Sequence, residues 1–250
     1  MANTRIALIT GANTGIGFQI AKDLKANGLT VLIGSRDPAK GETAARDIGA
    51  GAHAIQIDVT DAASIAAAAA RIEKDFGHLD VLVNNAAISK VGEADGSLEE
   101  LAKKGRFNVA PIQDIRAIYE TNVFGVIAVT KAMLPLLRKG TSPRIVNVSS
   151  GVGSLTRTMA PGSERLRKIF GTYSASKTAL NAVTLGFAIE LESEGIKVNA
   201  ACPGFTKTAL NNFTGTQTVE DGAREAVRLA LIDDNGPTGS YSSNEGPLPW

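Results

Sequence analysis

Short apolar, β-branched runs alternate along the chain with longer segments in which apolar positions recur every three or four residues. The short runs resemble buried strands and occupy residues 5–10, 30–34, 53–57, 79–84, 144–149 and 197–201. The segments between them are long enough to form helices. Strands and helices that alternate in this way predict an α/β fold, with a parallel sheet of about seven strands and helices on both faces.

The helical segments differ in how their polar residues are distributed. In the first, Ile16, Ile20 and Leu24 recur every four residues and charged residues take the other side, which predicts an amphipathic helix. Residues 121–130 and 178–189 contain no charged residue. Helices without a charged face are usually covered on both sides, so we expect a second contact surface for these two.

The domain organisation predicted from the chain is simple. Internal repeats, low-complexity linkers and charge blocks are absent from the sequence, so we predict one domain over residues 1–250. Glycine, charge and short apolar pieces mix in residues 89–109 and 154–170, as in surface excursions, and a third excursion is expected at 205–217. The tail 236–250 predicts one edge strand followed by an irregular end.

Charge and composition narrow the possible partners. Lys and Arg number 26 against 25 Asp and Glu, so we expect neither nucleic acid nor an acidic membrane as a partner, but a small neutral molecule. Cys202 is the only cysteine, which excludes an internal disulfide and favours a reducing cytoplasm. The apolar run 6–9 is too short for a signal peptide, no run approaches the length of a membrane span, and His53 and His78 do not suggest a metal site. We therefore predict a cytoplasmic protein without a bound metal.

The first strand is followed by TGANTGIG, with glycines at positions 11, 15 and 17, and then at once by a helix. Glycines allow a tight turn and close approach, and the helix N-terminus offers free N–H groups to a pyrophosphate. A tight strand-to-helix connection without a ligand would need similar glycines. The strand before and the helix after the turn favour dinucleotide binding.

The end of the second strand should meet the adenosine ribose of a dinucleotide. Here the chain has Ser35 and Arg36, where an NAD-preferring site would have a carboxylate. A guanidinium suits a 2′-phosphate and favours NADPH. The alternative is that Arg36 is a solvated surface charge and that Asp37 binds the ribose.

Polar residues also follow the third and fourth strands. Asp58 could accept a hydrogen bond from the adenine amino group, or it could cap a turn. Asn84 and Asn85 end the fourth strand, and buried asparagines need hydrogen-bond partners. Either the neighbouring backbone or a cofactor could supply those partners.

Tyr173 and Lys177 lie four residues apart, near the start of a predicted helix, and should project from one face. A phenol ordinarily has a pKa of about 10, and a nearby cation favours its ionised form. We therefore predict that Lys177 lowers the pKa of Tyr173 and makes it a proton donor for the reduction of a carbonyl group. Ser149 and Ser150 end a buried strand and could hold the substrate oxygen.

The motifs TGxxxGxG, NNA, SS, YxxxK and PG occur in this order, and together they resemble the short-chain dehydrogenase/reductase family over nearly the whole chain. Within that family, SRDPAKG, CPGFTKT, the segment EDGAREAVRLAL and the final tryptophan are most similar to the NADPH-dependent carbonyl reductases. The resemblance implies a Rossmann-like, doubly wound fold. It also implies an enzyme that reduces a ketone or aldehyde to an alcohol by hydride transfer from NADPH.

The resemblance also implies roles for single residues. Tyr173 would be the general acid in reduction and the base in oxidation, and Lys177 would lower its pKa and bind the nicotinamide ribose. Ser150, rather than Ser149, would hold the carbonyl, and Asn122 would anchor a proton-relay water. The implied cofactor contacts, besides Tyr173 and Lys177, are Gly11, Asn13, Thr14, Gly15, Ile16, Gly17, Ser35, Arg36, Asp58, Val59, Asn85, Ala86, Pro203, Gly204, Thr206 and Thr208.

Several points stay open at this level. Ala87 stands where the family usually has glycine, and residues 154–170 are either a wall of the substrate pocket or a surface loop. The alternatives in function are an NAD-dependent alcohol dehydrogenase acting oxidatively and a non-catalytic dinucleotide sensor. In the family, the helices that carry Asn122 and Tyr173 pair across an interface. We therefore expect a homodimer or homotetramer, although an insertion before the tyrosine makes some carbonyl reductases monomeric.

Overall fold

The predicted parallel sheet is present and contains eight strands in the order β3-β2-β1-β4-β5-β6-β7-β8. A computed structural model describes residues 4–92 and 98–250, so part of the expected excursion 89–109 lies outside the described residues. Strands β1 to β7 run parallel, and β8 is antiparallel to β7. The strands are β1 Ile6–Ile9, β2 Thr30–Ser35, β3 Ala52–Gln56, β4 Val81–Asn84, β5 Arg144–Val148, β6 Lys197–Cys202, β7 Tyr241–Ser243 and β8 Gly246–Pro247.

Helices connect the strands and cover both faces of the sheet. The α-helices are α1 Gly15–Ala26, α2 Pro38–Ile48, α3 Ala62–Phe76, α4 Leu98–Lys104, α5 Ile112–Tyr119, α6 Gly125–Leu137, α7 Leu155–Met159, α8 Glu164–Ile169, α9 Thr172–Glu190 and α10 Val219–Ala230. A π-helical turn, Glu120–Phe124, joins α5 to α6. Short 3-10 turns occupy Gly151–Gly153, Glu192–Glu194 and Ala209–Asn211.

Two apolar clusters form the core, one on each face of the sheet. Successive strand residues point to opposite faces, so Leu8 and Leu82 pack into one cluster with α3 and α6. Ile9 and Val83, one position further along the same strands, pack into the other cluster with α1 and α10. This alternation explains why the strands are apolar throughout, as expected for a parallel sheet covered on both sides.

The strand order places a crevice at one edge of the sheet. From β1 the chain proceeds to β2 and β3 on one side, and β4, β5 and β6 follow on the other. In open α/β sheets, ligands bind outside the carboxyl ends of the strands at such a reversal. The glycine turn follows β1 directly, so it lies at this point.

The tail does not have the predicted structure. The expectation of one edge strand and an irregular end is wrong, because β7 and β8 form a hairpin in which the backbone N–H of Leu248 donates to Tyr241 O at 2.8 Å. Pro247 is tolerated because it lies on the edge strand, where a missing N–H costs no ladder hydrogen bond.

The charge-free segment around Asn122 belongs to a longer helix than expected. The helices α5, the π-turn and α6 run continuously over Ile112–Leu137, and these 26 residues are long and apolar enough to cross a membrane by length and composition alone. The expectation that no segment approaches such a length is therefore corrected. Half of the most apolar window is buried inside the protein, where α6 packs against α3.

Candidate active site

The glycine turn has the geometry that its sequence predicts. Gly11 and Gly15 adopt positive φ angles of 64° and 58°, which favour glycine. A Cβ on Gly11 would lie 3.0 Å from Cα of Ala86, so the turn packs closely against the chain that leaves β4. The side chain of Thr14 does not cap α1. The first backbone N–H groups of α1 are therefore not satisfied by a side-chain cap, and α1 begins at the carboxyl edge of the sheet, directly after the close-packed turn.

The excursion 205–217 forms a lid beside this turn. A Cβ on Gly15 would lie 3.6 Å from Cγ2 of Thr208, which caps the 3-10 turn of the lid. Ser89 Oγ, in the loop after β4, donates to Leu210 O at 2.8 Å. The lid is thus linked to two of the loops at the carboxyl edge of the sheet.

The base of the lid begins at Pro203 and Gly204. Thr206 is buried, and its hydroxyl donates to Pro203 O at 2.8 Å. The side chain of Gln217 packs against Gly204, and its Oε1 is buried with no hydrogen bond in the described part of the chain. Sequence reasoning missed Gln217, whose unpaired buried oxygen marks a polar position at the loop that the family resemblance assigns to the carboxamide.

At the end of β2, two side chains form hydrogen bonds with the neighbouring backbone and a third does not. Ser35 Oγ donates to Asp37 O at 2.7 Å, and Asp37 Oδ1 caps α2 by accepting from the backbone N–H of Lys40 at 3.2 Å. The guanidinium of Arg36 is exposed and makes neither a hydrogen bond nor an ion pair with any residue of 4–92 or 98–250. Asp37 is therefore engaged with its own helix, whereas Arg36 is available to a ligand.

Asp58 caps a turn. Its Oδ1 accepts from the backbone N–H and the hydroxyl of Thr60, at 2.9 and 2.7 Å. Burial alone would raise the pKa of Asp58, but these hydrogen bonds and the charge of Arg36 outweigh it and lower the pKa below its usual range. Val59 follows, and its backbone oxygen would lie 2.8 Å from a Cβ on Gly125, so this loop packs against the start of α6.

The two asparagines after β4 find their partners within the protein. Asn84 Nδ2 donates to Asn147 Oδ1 at 2.9 Å, in the interior of the sheet. Asn85 Nδ2 donates to Thr10 O at 2.9 Å and to Gly11 O at 3.2 Å. The neighbouring backbone therefore satisfies the amide nitrogen of Asn85, which fastens the end of β4 to the glycine turn.

Tyr173, Lys177 and Ser150 meet where the chain leaves the carboxyl end of β5. Tyr173 and Lys177 lie on the first turns of α9, with Lys177 Nζ 5.8 Å from the centre of the Tyr173 ring. Lys177 is 2% exposed, and its ammonium donates to Val148 O at 2.8 Å. The hydroxyl of Ser150 lies near the phenol and favours its ionised form by hydrogen bonding.

The protonation of this group differs from the prediction. Burial raises the pKa of Tyr173, and hydrogen bonding by Ser150 offsets only part of the effect. Burial also lowers the pKa of Lys177 to about 8. The predicted lowering of the Tyr173 pKa by Lys177 is not found in the protein chain itself, because desolvation of the phenol raises this pKa and the groups that act on it besides are Ser150 and Cys202. Tyr173 is protonated at neutral pH, which is the state that a proton donor requires.

The structure separates the two serines after β5. Ser149 Oγ donates to Asn181 Oδ1 on α9 at 2.5 Å, whereas Ser150 lies beside Tyr173. Thr178, also on α9, donates to Gly153 O at 2.8 Å. Sequence reasoning missed Asn181 and Thr178. Their signal was two polar residues three positions apart in the charge-free segment 178–189, which indicates hydrogen bonds to neighbouring parts of the chain.

Asn122 lies in the π-helical turn and is fully buried. Its Oδ1 accepts from the backbone N–H of Ile88 at 2.9 Å, and its Nδ2 donates to Ile88 O and to Ser176 Oγ at 2.8 and 3.0 Å. Both amide hydrogens are thus used within the protein. The side chain joins the loop after β4 to α9, and π-helical turns often accompany functional sites.

The excursion 154–170 folds into α7 and α8 and lies against the lid. The guanidinium carbon of Arg165, on α8, sits 5.7 Å from the centre of the Phe205 ring. Leu155 and Met159 are exposed apolar side chains on α7, which follows the 3-10 turn Gly151–Gly153. The segment therefore contacts the lid instead of extending away from the site.

Fold and site together define a dinucleotide-binding oxidoreductase: a glycine turn lies at the strand-order reversal, and Ser150, Tyr173 and the buried Lys177 come together at the carboxyl edge of the same sheet. Among residues 4–92 and 98–250 there is no group of three His, Cys, Asp or Glu side chains that could hold a metal ion. The chain belongs to the short-chain dehydrogenase family, because the sequence model of that family matches residues 5–218.

Relatives in this family include named reductases. Salutaridine reductase from Papaver somniferum is 34% identical over 95% of this chain and 93% of its own. Its solved structure, aligned at 32% identity, has a TM-score of 0.78 and covers 95% of this chain and 99% of its own. (-)-Isopiperitenone reductase from Mentha piperita is 34% identical over 98% of both chains. A 3-ketoacyl-(acyl-carrier-protein) reductase from Brucella melitensis, solved in complex with NADH, is 28% identical with a TM-score of 0.81 over 98% of both.

Proposed function

We propose that the protein reduces a ketone or aldehyde to an alcohol with NADPH as the hydride donor. The observation that carries this proposal is the grouping of Tyr173 with Ser150 and the buried Lys177 at the carboxyl edge of the sheet, the edge at which the glycine turn also lies. Two relatives named as reductases, of salutaridine and of isopiperitenone, support a reduction, and the name of the similar 3-ketoacyl-(acyl-carrier-protein) reductase specifies a keto group.

The residues present fit a nicotinamide dinucleotide. The N-terminus of α1 and the close-packed Gly11 suit a pyrophosphate, and the buried ammonium of Lys177 has N–H groups beyond the one that binds Val148 O. Arg36 would hold the 2′-phosphate of NADP(H). When bound, the cofactor supplies the hydride, and the protein supplies orientation and the proton.

In the proposed mechanism, the Ser150 hydroxyl holds the carbonyl oxygen and Tyr173 donates the proton to it. A general acid must lie within hydrogen-bonding distance of the oxygen that it protonates. The Ser150 hydroxyl lies close to the Tyr173 phenol, so one oxygen atom of a substrate could contact both groups. Lys177 would hold the ribose hydroxyls of the bound cofactor. Asn122 positions α9 through Ser176 and needs no direct contact with the substrate.

Turnover of NADPH with a panel of ketones, aldehydes and diketones tests the proposal through loss of reduced-nicotinamide absorbance. Turnover with NADPH is expected. Preferential oxidation of alcohols with NAD would favour the alternative dehydrogenase, whereas tight binding of cofactor without turnover would favour a dinucleotide sensor.

Coenzyme preference should depend on Arg36. Replacement of Arg36 by Ala should weaken NADPH binding at least about tenfold and leave NADH binding nearly unchanged, because a charge-assisted contact to phosphate is worth roughly 1.5–3 kcal/mol. Fluorescence titration with each cofactor measures both affinities. The matched control is Arg46→Ala, which removes another exposed arginine of this region. Equal losses for both cofactors would contradict the role of Arg36.

We also propose a homodimer or homotetramer. Phe124, Leu185 and Ile189 are 54%, 39% and 66% exposed in one chain, and all three belong to the charge-free segments 121–130 and 178–189. Burial of these side chains against a second copy would remove apolar surface from water. We expect light scattering to give two or four times the 25.9 kDa mass of the chain. A mass of one chain would contradict the proposal. The cytoplasmic location stays a prediction.

A further inference from the structure

We propose that Tyr241 is a positioning residue for the reaction, because its hydroxyl holds the backbone carbonyl of Ser150. This inference rests on the proposed function, in which the Ser150 side chain binds the substrate oxygen. Tyr241 lies 91 residues along the chain from Ser150, on the short strand β7. No motif in the sequence connects the two residues.

The contact acts on the turn that carries the serine. Ser150 O accepts from the Tyr241 hydroxyl at 2.6 Å and from the backbone N–H of Gly153 at 2.8 Å. Two donors on one carbonyl restrict rotation of the peptide plane that follows Ser150. Because the same backbone carries the side chain, the direction of the Ser150 hydroxyl depends on both hydrogen bonds.

Tyr241 is itself held firmly. It is 3% exposed, pairs with Ala200 of β6, and stacks on the Trp250 ring with centres 5.3 Å apart and an angle of 24° between the ring planes. The backbone oxygen of Trp250 in turn accepts from the backbone N–H of Thr156 at 3.2 Å and from Ser154 Oγ at 3.3 Å. Tyr241 and Trp250 therefore contact each other, and both also form hydrogen bonds with the segment that contains Ser150.

The chemistry of the phenol suits this role. Burial raises the pKa of Tyr241, so its hydroxyl stays a neutral donor over the working pH range. Hydrogen bonding by Ser150 opposes the rise in the pKa of Tyr173. A Ser150 hydroxyl that is no longer directed at the site would therefore weaken both substrate binding and the tuning of the proton donor. Phenylalanine at position 241 could keep the stacking on Trp250 but could not hold the carbonyl.

A double-mutant cycle tests the inference. Tyr241→Phe should lower kcat about tenfold with an unchanged KM for NADPH, and it should shift the pH at which alcohol oxidation becomes half-maximal upwards. In a Ser150→Ala background the same substitution should have almost no further effect, because contacts that act through one residue are not additive. An equal loss in both backgrounds, or an unchanged kcat, would overturn the role of Tyr241.

Amide hydrogen exchange provides a readout that does not depend on activity. Tyr241→Phe should accelerate exchange about tenfold in a peptide that spans residues 149–154, and Tyr119→Phe should leave it unchanged. If Tyr241→Phe does not fold, Trp250→Ala, which keeps the hydroxyl but removes the stacking ring, should give a smaller acceleration in the same peptide. Unchanged exchange would overturn the inference. Accelerated exchange in a protein that reduces no carbonyl would instead refute the proposed function and retain the contact.

Discussion

Replacement of Tyr173 by Phe should lower carbonyl reduction about 10³-fold and leave NADPH affinity unchanged. The substitution removes the only atom proposed to donate the proton, and general acid catalysis is worth roughly 10²- to 10⁴-fold. The ring that lies beside Lys177 remains, so the local packing should survive. Steady-state turnover, together with a fluorescence titration of NADPH, measures the two effects separately.

The chain offers a matched control for this experiment. Tyr119 lies on α5, is partly buried, and has its pKa raised by burial, as Tyr173 does, but it is not part of the proposed site. Tyr119→Phe should therefore retain wild-type turnover. If Tyr173→Phe kept more than about a tenth of the activity, a water molecule or another side chain would have to supply the proton, and the proposed mechanism would be wrong.

The sequence predicted most of the fold because its signals were local. Runs such as Ile6–Ile9 and Arg144–Val148 are short, apolar and followed by helical segments, so their length and neighbours indicate buried parallel strands. The error in the tail arose because a hairpin of three and two residues offers little periodicity. Its stability comes from pairing with β6 and from the stacked Tyr241 and Trp250, which are contacts between distant parts of the chain.

For the site, sequence spacing predicted which residues meet but not how strongly each is buried. Tyr173 and Lys177 share a helix face because they are four residues apart, yet the direction of the pKa shift of Tyr173 depends on desolvation that no spacing reports. Likewise, Asn122 is recognisable by motif, but only the structure shows that its amide binds the backbone of Ile88. Tyr241 had no signal, because its partner is a backbone carbonyl.

Replacement of Lys177 by Met should remove most activity and also stabilise the protein at neutral pH. The ammonium is proposed to hold the ribose of the bound cofactor, so we expect turnover to fall about 10²-fold or more, with weaker NADPH binding. Yet Lys177 is 2% exposed and has one hydrogen bond, to Val148 O, in the described part of the chain. A buried ammonium with few partners costs stability, and Met fills a similar space without that cost.

The pH dependence of unfolding separates this cost from other effects of the substitution. Burial lowers the pKa of Lys177 from 10.5 to about 8, so between these values the unfolded chain binds more protons than the folded one. The wild-type protein should therefore gain stability as the pH rises from 8 towards 10.5, whereas the Met variant lacks this gain. The advantage of the variant should be at most about 3 kcal/mol at pH 7 and should shrink through this window. Urea unfolding of both proteins at pH 7 and pH 10 measures the difference. A variant that is less stable than the wild type at pH 7 would show that the charged lysine stabilises the fold. In that case the buried cation beside the proton donor would not reduce the stability of the protein, contrary to this prediction.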